Sequence, residues 1–228
     1  MLFRSLGAWR SAPRMDRHLA GVSAQPPLQQ LQRVLAEPNH WRAFGLSMLM
    51  LFGSFSIIPF ITIYTTTNLG LRAEQVPIMY LCGGVATLFT ARLWGWLSDR
   101  WGKVLTLRIV GAAAVVPMMV ITHLEPVPLW GLMAITTLFF IFVSGRMVPG
   151  MALLSAAPAP EVRGAFMSVN GALQSATMGA AAWVGGMLIS RAPDGRVVGY
   201  GQTGWLALIT TVLMLWWVGR LRLHVASR

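Results

Sequence analysis

Apolar positions along this chain do not alternate; they run. Six stretches, at about 43–66, 76–98, 104–124, 127–150, 164–190 and 202–219, are almost continuously hydrophobic. A hydrocarbon core about 30 Å thick is crossed by about 20 apolar residues in helical conformation, and each stretch is near that length. The pattern predicts an all-α membrane protein, a bundle of six spanning helices. Backbone crossing lipid must satisfy its own hydrogen bonds, which leaves helices or a closed barrel. Barrel strands would alternate apolar with polar residues, and these runs do not.

Polar and turn-forming residues punctuate the pattern. Asn68, Leu69 and Gly70 close the first stretch, and Glu125 and Pro126 part the third from the fourth. Pro158, Ala159 and Pro160 fall in the next connection, and Pro193, Asp194 and Gly195 in the one after. All are residues that stop helices or make turns. Arg92 and Arg108 lie inside the second and third stretches, within two turns of an end. From there a guanidinium can snorkel to the headgroups.

Residues 1–42 are polar and basic, and Met1–Ala20 lacks the apolar core of a signal peptide. Within this segment, Leu28–Ala36 carries leucines and a valine at helical spacing, which predicts a short amphipathic surface helix. The organisation expected is a cytoplasmic linker-like segment at 1–42, a spanning bundle at 43–219 and a short cytoplasmic tail at 220–228.

Composition agrees with the pattern. Of 228 residues 55% are hydrophobic and only 11% charged, with a mean hydropathy of +0.61. Soluble domains carry about 25% charged residues, because their surface faces water. The 18 Lys and Arg outnumber the 7 Asp and Glu, for a formal charge of +11. These cations lie between and beside the apolar runs, and no glycine-rich phosphate cradle, zinc spacing or RNA-binding aromatic signature accompanies them. The expectation is therefore a bilayer as partner, with no nucleic acid, cofactor or metal.

The cations also predict an orientation. With the N-terminus in the cytoplasm, that side carries fifteen, among them Arg33, Arg42, Arg92, Arg100, Lys103, Arg108, Arg146, Arg163, Arg220 and Arg222. The other side carries three, Arg72, Arg191 and Arg196. Under the positive-inside rule both termini are cytoplasmic. Cys82 is the single cysteine and excludes an intramolecular disulfide; inside an apolar run it reads as a small packing residue.

Between the second and third stretches stands Gly95-Trp96-Leu97-Ser98-Asp99-Arg100-Trp101-Gly102-Lys103. Gly95 allows a neighbouring helix to approach closely, and Gly102 permits a turn that a side chain would obstruct. Asp99 is the one acid among cations, suited to pair with an arginine or to favour the next helix start. This loop resembles the signature loop of the major facilitator superfamily, glycine-x-x-x-aspartate-arginine-x-glycine-arginine/lysine. In that family it joins the second and third helices of a six-helix half, on the cytoplasmic face.

Two further segments, Ser144-Gly145-Arg146-Met147-Val148-Pro149 and Pro160-Glu161-Val162-Arg163-Gly164, resemble matching stretches in drug and sugar efflux members. The resemblance runs from about residue 10 to the end and includes the central cytoplasmic linker. It implies the C-terminal half of the fold, with about six helices absent. It also implies that Asp99, Arg146, Glu161 and Arg163 form a cytoplasmic charge cluster that latches one conformation. The partners implied are a small-molecule substrate and either an N-terminal half or a second copy, in a bacterial inner membrane.

Substrate-contacting residues are sought at membrane depth. No acidic residue falls inside a stretch, so a proton-carrying carboxylate is expected in the other half. His123 stands near an outer helix end. In the fifth stretch Asn170, Gln174 and Thr177 share one helical face, suited either to lining a cavity or to joining helices. In the first, Phe52, Phe55 and Pro59 recur at similar spacing, Pro59 being a site for a kink. They fit a cavity wall or plain core and lipid-facing packing. A membrane-embedded serine hydrolase is disfavoured: Ser144-Gly145 has Phe142 where the Gly-x-Ser-Gly pattern wants glycine. A truncated remnant that inserts without transporting is the remaining alternative.

Overall fold

The computed structural model describes residues 26–222. Expectations resting on residues 1–25 and 223–228, including Arg4, Arg10, Arg14, Arg17 and Arg228, lie outside the described residues. The amphipathic segment forms a helix, α1 (Pro27–Ala36), followed by α2 (Pro38–Phe55). Glu37 caps α2 by accepting from the Asn39 backbone N–H. The first span then breaks into a single 3-10 turn, Ile58–Phe60, and resumes as α3 (Ile61–Thr67). Pro59 has no N–H to offer the carbonyl of Phe55, which is where the ladder opens.

The remaining spans are α4 (Val76–Trp101), α5 (Lys103–Thr122), the pair α6 (Leu129–Gly145) and α7 (Met147–Ala156), α8 (Arg163–Leu188) and α9 (Tyr200–Trp217). The fold is thus the all-α bundle expected. Five spans are both long and apolar enough to cross a membrane; α8 is as long as α4, at 26 residues, but carries the most polar sequence. The expected end of the fourth span near residue 150 needs correction. Helix continues to Ala156, interrupted only around Arg146. Pro149 deprives the Gly145 carbonyl of its partner, but membrane helices tolerate one lost bond where neighbours pack closely.

Packing runs in series. α8 lies against α2, α2 against α9, α9 against α5, α5 against α6 and α6 against α4. Small residues permit these contacts: a side chain at Gly53 would stand 2.5 Å from Thr210 Oγ1. The two helices that end the series, α4 and α8, keep open faces. Gly84 and Gly95 on α4, and Gly164, Gly171 and Gly179 on α8, face nothing within 4 Å.

Because spans alternate in direction, one end of the bundle collects the starts of α2, α5 and α8 with the ends of α4, α7 and α9. At the opposite end a two-stranded hairpin, β1 (Ser190–Arg191) with β2 (Val197–Val198), joins α8 to α9. Asn68 docks this hairpin by exchanging two bonds of 2.8 Å with the Val197 backbone.

Candidate functional site

Arg146 stands between α6 and α7, ten residues before the end of its span. At 1.5 Å per residue that places it about 15 Å along the helix from the end bearing Glu161, inside a span of 28 residues. Its side chain is fully buried, 0% exposed. One terminal nitrogen donates to Ser54 Oγ at 2.6 Å on α2, and the other to Thr211 Oγ1 at 3.3 Å on α9. Nε has no partner. One guanidinium therefore ties three spans together.

The local sequence explains the position. Gly145 leaves room for the Trp94 indole of α4, whose Nε1 would meet a side chain there at 2.6 Å. Gly150 makes the same allowance for Met50 of α2. Ser54 passes its own proton to the Met50 carbonyl and so presents an oxygen lone pair to Arg146. One helical turn beyond Ser54 the first span breaks. There Gly185 of α8 lies so close that a side chain on it would meet the Ser56 carbonyl at 2.8 Å. Both broken spans thus meet the arginine or flank it. No carboxylate is paired with Arg146 among the described residues. A cation at this depth costs about 2.5–3.5 kcal/mol on insertion scales.

The depth of Arg146 changes the charge cluster expected at the end of the bundle. Arg146 is fully buried and bonds hydroxyls on α2 and α9, so it does not join the other three. Asp99, Glu161 and Arg163 are all exposed at that end, and no ion pair links them. The signature loop itself is built as its glycines require. Gly102 adopts φ +90 and ψ 146 at the end of α4, a conformation that a side chain disfavours. Thr106 Oγ1 donates back to the Leu97 carbonyl at 3.1 Å and braces the turn. Arg100 lies 5.4 Å over the Trp96 ring, and Gly95 faces open space. Ser98, Asp99, Gly102, Lys103 and Arg108 line an open cavity of about 630 Å³.

The candidate cavity residues separate. Phe52 and Thr177 line one apolar groove of about 350 Å³ between α2 and α8, with Met48, Leu49 and Leu173. Gln174 Nε2 donates to Ser47 Oγ at 2.9 Å and joins α8 to α2, the helix-joining role. Asn170 is buried with Oδ1 unpaired. Phe55 is half-buried, and Pro59 is exposed at the break. The polar face of α8 is turned toward α2. Ser144 donates to the Phe140 carbonyl, and His123 bonds the Met119 carbonyl at the opposite end of the bundle, so the two are not partners.

What sequence reasoning missed is the burial of Arg146. A signal was available: Arg146 is flanked by apolar residues on both sides, and Met147–Leu154 continues the hydrophobic run.

A family model described as Major Facilitator Superfamily matches residues 43–225. An uncharacterized MFS-type transporter, YbcL of Bacillus subtilis, is 22% identical over 191 residues, covering 83% of this chain and 48% of that protein. The chain spans about half the length of the curated relative it matches.

Proposed function

The chain belongs to the major facilitator superfamily, and from that premise we propose that it moves a small solute across a membrane by alternating access. It is a multi-pass integral membrane protein, as its apolar helices and family require. In the proposed mechanism this bundle rocks against a second six-helix bundle, supplied by another chain or a second copy. The open faces of α4 and α8, and the doubled length of the relative, support that partner. Efflux of a drug, sugar or metabolite is the direction proposed, supported by the resemblance around Arg146 and Glu161–Gly164. The proposed setting is a bacterial inner membrane with both termini cytoplasmic. The loop Gly95–Lys103, with Glu161 and Arg163, is proposed to hold one conformation closed by contacts made with the second bundle.

The observation that carries this reading is the uncompensated guanidinium of Arg146 where two spans break. A buried charge in a membrane bundle is costly and marks a working position. Here it bonds hydroxyls on two other spans, and a carboxylate of the solute or of the second bundle would complete it. The groove at Phe52 and Thr177 supplies an apolar wall between α2 and α8.

The test uses cells producing the chain with its neighbouring reading frames, loaded with ethidium or with labelled sugars. Faster loss of at least one compound is expected in these cells than in cells producing Arg146→Met at equal membrane abundance. Asp99→Asn should slow that loss while leaving the chain inserted. Identical retention of every compound with and without the chain would overturn the proposal.

A further inference from the structure

The end of the bundle that carries the start of α2 and the end of α9 holds a second concentration of charge that transport does not use. Two cavities adjoin there. One, of about 450 Å³, is lined by Arg33, Glu37, Asn39, His40 and Arg222 among others. Its neighbour, of about 520 Å³, is lined by Arg42, Trp217, Arg220 and again Arg222. Four arginines thus line two cavities that share Arg222, with one carboxylate, Glu37, which already caps α2. None of the four is in an ion pair among the described residues.

The frame around them is ordered. Asn39 holds the backbone of Arg222 on both sides, donating to its carbonyl at 2.7 Å and accepting from its N–H at 3.0 Å. Trp217 Nε1 donates to the Arg42 carbonyl at 2.8 Å, and His40 Nδ1 lies 2.8 Å from the Val34 carbonyl. These bonds pin α1, the start of α2 and the segment after α9 to one another. The basic cavities are therefore built by residues 33–42, the connection at 157–162 and residues 217–222, segments distant in sequence.

Apolar side chains border the same place. Leu28, Leu31 and Leu35 share one face of α1 and are exposed, as are Trp41 and Trp216. Arg33 lies on the opposite face of α1, by helical periodicity. Arg220 lies 3.4 Å over the Trp216 ring, a cation held beside an aromatic that suits the membrane boundary. An amphipathic helix with exposed leucines, next to unpaired arginines at a span end, matches the two halves of a lipid: acyl chain and phosphate.

We propose that these paired cavities bind the headgroup of an anionic phospholipid, with Arg33 and Arg222 contacting its phosphate. α1 then lies in the interface, with its leucines among the acyl chains. Bound lipid would pin α1 to the bundle at the point where the chain enters its first span.

The experiment follows thermal unfolding of the full chain in detergent as phosphatidylglycerol, phosphatidylcholine or inorganic phosphate is added. Phosphatidylglycerol should stabilise at lower concentration than phosphatidylcholine by about 30-fold, equivalent to about 2 kcal/mol for two arginines. Arg33→Gln combined with Arg222→Gln should erase that preference, and the same pair changed to Lys should retain most of it. Arg100→Gln, at the signature loop, should leave it intact. Equal response to both lipids, retention of the preference in the double Gln variant, or an equal effect of inorganic phosphate would each overturn the proposal. A double Gln variant that fails to fold shifts the decision to the wild-type lipid comparison and the Lys pair, which stand without it.

Discussion

Two arginine-bearing places in this bundle obey different physics. At the loop between α4 and α5, Arg100 is exposed and Lys103 partly so, and Asp99 beside them forms no ion pair among the described residues. At the junction of α6 and α7, Arg146 is fully buried and, among the described residues, has two hydroxyl partners and no carboxylate. The first arrangement costs little and is positioned by a glycine turn. The second opposes insertion and persists because three spans close around it. Charge at the surface can exchange partners readily, whereas charge in the core can change only if the spans move. That difference suits the loop to holding a conformation and Arg146 to the proposed transport step.

The sharpest way to break the comparison is Arg146→Met. Removing a mid-depth charge should stabilise the inserted bundle by about 3 kcal/mol and abolish solute movement. Stability is read by unfolding in detergent and flux by compound retention. Loss of both together would make Arg146 a structural tie alone. Gly185→Val comes next. Its side chain would press on the Ser56 carbonyl at the break in the first span, with a cost of about 1–3 kcal/mol by thermal unfolding.

Gly102→Ala tests the surface arrangement. Holding alanine at φ +90 costs about 1–3 kcal/mol, but the turn is exposed and can relax, so the lower end is expected. The smallest effect belongs to Arg100→Gln, which removes one exposed cation–ring contact. A loss below about 1 kcal/mol is expected, and a larger one would show that the loop is not solvated as described.

Much of this was legible in the amino acids. The spans fall within a few residues of where the apolar runs place them, since nothing but helix satisfies the backbone in lipid. Gly102 in a left-handed turn and a helix near Leu28–Ala36 were also readable. The depth of Arg146 was not. Pro149 and Gly150 resemble a helix stop in water, and an arginine beside them looks like a headgroup anchor. The hydrophobic run Met147–Leu154 points past that stop, and the packing of Trp94 and Met50 against the two glycines shows the span running on. Gln174 was undecidable for a related reason: an amide on a helix face bonds a neighbour or a solute equally well until Ser47 is seen beside it. The hairpin Ser190–Val198 escaped because strands of two residues leave no periodicity to read.

The most direct test of this contrast compares two engineered cysteines after Cys82→Ala removes the native thiol. Asp99→Cys marks the loop, and Ser54→Cys marks the partner of Arg146. A membrane-impermeant maleimide should label Asp99→Cys rapidly from one side of intact vesicles and reach Ser54→Cys far more slowly until detergent unfolds the chain. Labelling of both positions at similar rates from the same side would place Arg146 at the water boundary and contradict the account.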